Sequence, residues 1–189
     1  MMMIEKDTVE ALLVKLGGHL SMPATLCVIG STASIVTGQP SRQTPDIDIW
    51  HPHSKFDVGD LKRACEEAGL LYDPKGLVDP DAIYLQIVRP GIVSLPAEFT
   101  AEVIGQYGNL TLVMPPPEVI VAAKLARGLD TDIEDAVWWV RGRDLTDELI
   151  IGAIDRIPNA SNRETAKENL VLIQLMTRRY DGGGSDGPL

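Results

Sequence analysis

Thr25-Leu26-Cys27-Val28-Ile29-Gly30-Ser31, followed by Arg42-Gln43-Thr44-Pro45-Asp46-Ile47-Asp48-Ile49-Trp50, is the stretch on which the fold turns. Its first five residues form a short, bounded apolar run of the kind that suits a buried strand. Gly30 ends that strand and Ser31 can cap a helix, so Ser31-Thr32-Ala33-Ser34-Ile35-Val36 reads as its first turns. The free N–H groups and positive dipole end of such a helix face any anion placed at the Gly-Ser turn. In the second strand side chains alternate, so Asp46 and Asp48 point together while Ile47 and Ile49 point into a core. Two adjacent carboxylates repel unless a cation lies between them, and hard oxygen ligands suit Mg²⁺, which takes one or two protein carboxylates plus phosphate oxygens. Singly, a Gly-Ser turn or an Asp-x-Asp pair reads more readily as a plain turn or a solvated strand edge. The ordered combination carries the argument.

The bulk composition fits a compact protein. With 189 residues, 44% of them hydrophobic, the chain suits one domain, or a small α/β domain with a helical extension. Its formal net charge of −10 argues against the broad basic surface that grips duplex DNA, and fits small metal-bound substrates or a basic partner better. A local basic patch from Arg141, Arg143, Arg178 and Arg179 is one reading of those residues; a solvated helix face is the other. Cys27 and Cys65 read as buried thiols rather than a disulfide. No apolar run is long enough to span a bilayer, and Met1-Met2-Met3-Ile4-Glu5-Lys6 lacks a signal-peptide pattern, so the cytoplasm is the expected location and no membrane partner is expected.

The organisation expected along the chain is α/β (α+β): a mixed sheet of about five strands with flanking helices over residues 1–115, a helical part over 116–180, and a flexible tail over 181–189. Residues 6–17 read as an amphipathic helix capped by Asp7 or Thr8, with Val9, Leu12, Leu13 and Leu16 inward and Gly17-Gly18 as its stop. Residues 56–69 read as a second helix. Strands are expected over 83–88, 99–104 and 110–114, the last two joined as a hairpin through Gln106-Tyr107-Gly108-Asn109. Pro115-Pro116-Pro117 marks the change to helices over 118–128, 130–140, with Thr131 or Asp132 as cap, 145–157 and 161–180.

Three further groups stand out. Lys124 and Arg127 are three apart on one helix face, and Asp132 and Asp135 are three apart near the start of the next; a salt-bridge cluster between the two helices accounts for them without any function. His51 and His53 lack a clear third ligand and read as a loop pair more readily than as a soft-metal site. Trp138 and Trp139 point about a third of a turn apart on a helix, which places one in the core and one at a boundary.

The order of Gly30-Ser31, Arg42-x-Thr44-x-Asp46-Ile47-Asp48, strands, then Lys124-Leu125-Ala126-Arg127 and Asp132-x-x-Asp135 resembles the nucleotidyltransferase superfamily, and within it the AbiEii-like group of abortive-infection and toxin-antitoxin systems. The resemblance covers residues from about 25 to 141, and the fifteen positions from Ser31 to Asp46 make its first gap slightly long. It implies a nucleoside triphosphate substrate and Mg²⁺ or Mn²⁺ as cofactor, with an RNA or protein acceptor and a cognate antitoxin as partners. It also implies Asp46 and Asp48 as metal ligands, Gly30 and Ser31 as phosphate loop, and Arg42, Thr44, Lys124 and Arg127 on the nucleotide side. Lys124 would reach a phosphate, and Asp132 or Asp135 would orient it or the acceptor hydroxyl. The family's third carboxylate is replaced here by Gln86, a neutral and poorer ligand, so either Glu98 or Glu102 supplies it, Glu102 being the one assigned, or the site is impaired. The impaired case is a binding or regulatory protein of the same fold. An aminoglycoside-type adenylyltransferase is a third reading, slightly helped by the acidic balance.

Overall fold

A computed structural model describes residues 5–181, with side chains to Met176. Residues 1–4, the expected tail after Asp181, and the side chains of Arg178 and Arg179 lie outside the described residues. The chain divides into two compact units, one of Met1–Val93 with Phe99–Pro116, the other of Ser94–Glu98 with Pro117–Leu189.

The first unit contains α1 (Lys6–His19), β1 (Ala24–Cys27), α2 (Gly30–Val36), β2 (Asp46–Trp50), a 3-10 turn over His51–His53, α3 (Val58–Ala68), β3 (Leu71–Tyr72), β4 (Tyr84–Val88), β5 (Glu102–Tyr107) and β6 (Leu110–Met114). The expected mixed α/β architecture is present. Its six strands form two sheets of three, in the orders β1-β6-β5 and β2-β4-β3, where the sequence suggests a single sheet of about five. β1 runs parallel and β5 antiparallel to β6, whereas β2, β4 and β3 are all parallel. Between β1 and β2 there is one antiparallel bridge, Val28 with Ile49, because the chain turns into α2 at Gly30 before a ladder can extend.

Local sequence explains the ends of α3. Asp57 caps α3 by accepting the Asp60 N–H at 2.8 Å, and Gly69 closes it in the left-handed conformation, with Leu61, Ala64, Cys65 and Ala68 buried as their spacing predicts. In α1, Val9, Leu12, Leu13 and Leu16 form the expected buried face, but the helix begins after Glu5, which makes no side-chain cap, and continues through Gly17 and Gly18 to His19. Gly17 serves a contact rather than a stop. A Cβ there would lie 1.8 Å from the Tyr107 carbonyl oxygen, and the Gly17 carbonyl accepts the Asn109 N–H of the β5–β6 turn at 3.2 Å. Cys27 in β1 and Cys65 in α3 are free, buried thiols, both pushed up to about 12, chiefly by burial.

The second unit is helical: α4 (Pro117–Arg127), α5 (Asp130–Gly142), α6 (Asp147–Asp155) and α7 (Ala160–Asp181). Pro117 opens α4, as the proline run suggests, and Leu129 rather than Thr131 is the N-cap residue of α5. Trp139 is buried and Trp138 lies at the boundary, their rings edge to face at 5.0 Å. Ser94 joins this unit by accepting a hydrogen bond from Asn162 Nδ2 at 2.6 Å. Among the described residues, no helix is long and apolar enough to cross a membrane.

Candidate functional site

Asp46 and Asp48 sit on one face of β2, both partly exposed, with Ile47 and Ile49 fully buried behind them. The parallel register of β4 sets Tyr84 beside Asp46 and Gln86 beside Asp48, so four polar side chains share the face. Sequence reasoning reaches Gln86 and misses Tyr84, although the two have the same parity in one strand. Burial first, then the neighbouring Asp46 carboxylate, then Asp48, push the Tyr84 hydroxyl above its ordinary range.

The support beneath this face is built from threonines. Thr32 of α2, fully enclosed, donates its hydroxyl to the Asp46 carbonyl at 3.3 Å and accepts the Asp48 N–H at 3.2 Å, which ties α2 to β2. Ile29 N–H donates to the Asp48 carbonyl at 3.1 Å. Thr44, 3% exposed, donates to Asp46 Oδ1 at 3.0 Å. Its hydroxyl is thus directed at the carboxylate.

At the Gly30-Ser31 turn, Gly30 has φ of +60°, and a Cβ there would lie 3.2 Å from Asp48 Oδ2. Both the backbone angle and the nearness of the carboxylate call for glycine. Arg42 Nη2 donates to Ser31 Oγ at 2.8 Å, bracing the turn. Gly30, Ser31, Arg42, Thr44, Asp46 and Asp48 are thereby brought into one neighbourhood by α2 and β2.

The expected third carboxylate has a different placement. Glu102 is exposed at the start of β5, an edge strand of the other sheet, opposite Met114. Glu98 lies before β5, in the segment Ser94–Glu98 that packs with the second unit. Among the described residues, no group of three or more His, Cys, Asp or Glu side chains has the geometry to hold a metal ion. The donor set on the shared face is two carboxylates and the Gln86 amide oxygen, all hard oxygens, which fits a single Mg²⁺ completed by phosphate oxygens. The histidine pair packs on rings instead: His53 stacks on Phe99 at 3.8 Å and His51 meets Phe56 edge-on at 6.3 Å.

In the second unit, Lys124, Arg127, Asp132 and Asp135 come together across α4 and α5. Lys124 Nζ lies 2.5 Å from Asp135 Oδ2 and 3.8 Å from Asp132 Oδ1, and Arg127 makes a two-pronged bond to both Asp132 oxygens at 2.6 Å each. Asp132 also accepts the Leu129 N–H at 3.4 Å, at the start of α5. Lys124, Asp132 and Asp135 are buried, while the Arg127 side chain is 56% exposed. Two bases and two acids within ion-pair distance make the cluster neutral, the salt-bridge arrangement that the helical spacing allows.

Comparisons with known proteins bear on the family and the fold. The family model described as a nucleotidyltransferase of unknown function (DUF6036) matches residues 7–179. The crystal structure of an antigenic nucleotidyltransferase-like protein from Paracoccidioides brasiliensis is similar in fold, with a TM-score of 0.55 and 16% identity over 94% of each chain. No curated protein matches. With the family model covering nearly the whole of it, the chain belongs to the DUF6036 family of nucleotidyltransferases of unknown function.

Proposed function

We propose that the chain transfers a nucleotide from a nucleoside triphosphate to an RNA or protein acceptor, using Mg²⁺ or Mn²⁺ held by Asp46 and Asp48, in the manner of the toxin-related AbiEii-like group. The observation that carries this reading is the Asp46 and Asp48 pair, set side by side on β2 beside the Gly30 turn. A cation bound there supplies charge neutralisation to the triphosphate and the departing pyrophosphate. The chain's own part is positioning. Thr32 fixes the strand carrying both carboxylates, Gly30 lets the turn approach Asp48, and Arg42 holds Ser31 so that the turn keeps its shape. The acceptor hydroxyl would attack the α-phosphorus as the bond from that phosphorus to the bridging oxygen breaks and pyrophosphate leaves, its proton passing to solvent. A cytoplasmic site of action and a cognate antitoxin belong to the same proposal.

Gln86 favours a second reading, nucleotide binding without turnover. Its amide can ligate through oxygen but adds no negative charge to offset the dehydration of a second cation. One experiment separates the two: incubation with each α-labelled triphosphate, Mg²⁺ or Mn²⁺ and a cell extract. Label moving to RNA or protein with the wild type and not with Asp46→Ala supports transfer. Mg²⁺-dependent triphosphate binding by calorimetry with no label moved supports the binding protein, and equal triphosphate binding with and without metal rejects both.

A further inference from the structure

Thr44, Pro45 and Asp46 form a small rigid unit. Proline fixes its own φ and restricts the residue before it to extended conformations, so the backbone on the N-terminal side of Asp46 has little freedom. The chain bends at Pro45 before β2 begins, and the Thr44 hydroxyl donates to Asp46 Oδ1 at 3.0 Å. Thr44 is buried and Asp46 partly exposed, so the donor's side of this bond is shielded from water. From the neighbouring strand, Tyr84 stands in register with Asp46, its phenol on the same face as the carboxylate. The terminal torsion of an aspartate is broad when nothing holds it. Here the Thr44 hydroxyl holds it, with Tyr84 alongside on β4.

We infer that Thr44 is a positioning residue, and Tyr84 its helper, which set the orientation of the Asp46 carboxylate before a divalent cation arrives. The inference rests on the proposed metal site and deepens it, by assigning to Thr44 a role on the carboxylate in place of one on the nucleotide. Outer partners that orient a metal ligand commonly change metal affinity by about 10-fold to 100-fold when lost.

The test titrates the full chain with Mn²⁺ alone, by calorimetry, alongside thermal melts followed by circular dichroism. The variants are Thr44→Val, which keeps the shape and removes the hydroxyl, Thr44→Ser, which restores the hydroxyl, Tyr84→Phe and Asp48→Asn. The expected result is at least about a 10-fold weaker Mn²⁺ affinity for Thr44→Val, near wild-type affinity for Thr44→Ser, and an intermediate loss for Tyr84→Phe, with all three folded at the temperature of measurement. A folded Thr44→Val that binds Mn²⁺ like the wild type overturns the inference, as does a Thr44→Ser variant as weak as Thr44→Val, because shape alone would then explain the loss. Should Thr44→Val not fold, Tyr84→Phe decides, and unchanged affinity there overturns it. Asp48→Asn keeps the two levels apart: loss of Mn²⁺ binding in Asp48→Asn with no loss in Thr44→Val rejects the positioning role alone, whereas unchanged binding in Asp48→Asn rejects the metal site itself.

Discussion

Two pairs of aspartates in this chain have opposite surroundings. Asp132 and Asp135 are buried against Lys124 and Arg127, which cancel their charge at ion-pair distance. Asp46 and Asp48 stand partly exposed on a strand face, with the Thr44 hydroxyl donating to Asp46 and Tyr84 in register beside it. A buried ion cluster tolerates no loss of a member, because the remaining charge is left without compensation. A partly solvated carboxylate tolerates substitution, so its worth lies in what it can bind. The helix pair joins α4 to α5 through ion pairs, and the strand pair is the one to which we assign a ligand.

The largest effect is expected in the cluster. Removing one partner, as in Asp135→Ala, should cost about 3–5 kcal/mol by urea unfolding and lower the melting midpoint by roughly 10 °C. The double variant Lys124→Met with Asp135→Leu should recover most of that loss, since well-packed apolar groups replace a buried pair at little cost. A single variant that melts like the wild type would break the comparison.

Gly30→Ala is expected next. Placing an alanine at φ of +60° should cost about 1–2 kcal/mol, and its Cβ, 3.2 Å from Asp48 Oδ2, should displace that carboxylate. Mg²⁺-dependent triphosphate binding, measured by calorimetry, should fall with it. Asp48→Asn sharpens the contrast further: urea unfolding should change by no more than about 0.5 kcal/mol while the Mg²⁺ enhancement of triphosphate binding disappears. A stability loss as large as that of Asp135→Ala would show that the two pairs are alike after all.

Asp73 gives a smaller, pH-dependent test, because it lies between the two extremes. Burial raises its carboxyl, but hydrogen bonds from Lys75, Arg89 and the Ile87 N–H outweigh burial and hold it below its ordinary value of 3.8. A carboxyl lowered by folding contributes stability above its unfolded value and loses that contribution as pH falls through the folded value. Acid titration followed by circular dichroism should therefore show wild type losing its advantage over Asp73→Asn below about pH 4, with a constant gap above it.

Much of this is legible in the chain. The alternation of Asp46-Ile47-Asp48-Ile49 defines the face, and the leucine spacing of residues 9–16 defines the buried side of α1. Strand partners are not legible, because alternation states which way side chains point and not which strand lies alongside; hence the two sheets of three. β3 is only two residues long, too short for any periodic signal. Gly17 reads as a helix stop because the reason for glycine there, the Tyr107 carbonyl, lies far along the chain. Thr44 reads as a nucleotide contact because the motif gives its spacing, whereas its burial depends on the fold around it.

The placing of the two cysteines has a practical consequence. Both belong to the first unit and the second has none, and a thiol held near a pKa of about 12 and shielded from solvent reacts with alkylating reagents only when its surroundings open. The rate of alkylation in native buffer thus clocks the opening of the first unit alone. A cysteine introduced at exposed Glu148 or Ile151 of α6 would be modified at once, a reference mark that takes no part in the slow phase. The wild-type chain therefore carries its own chemical stopwatch, and any ligand that closes the first unit can be found by its slowing, with no activity assay at all.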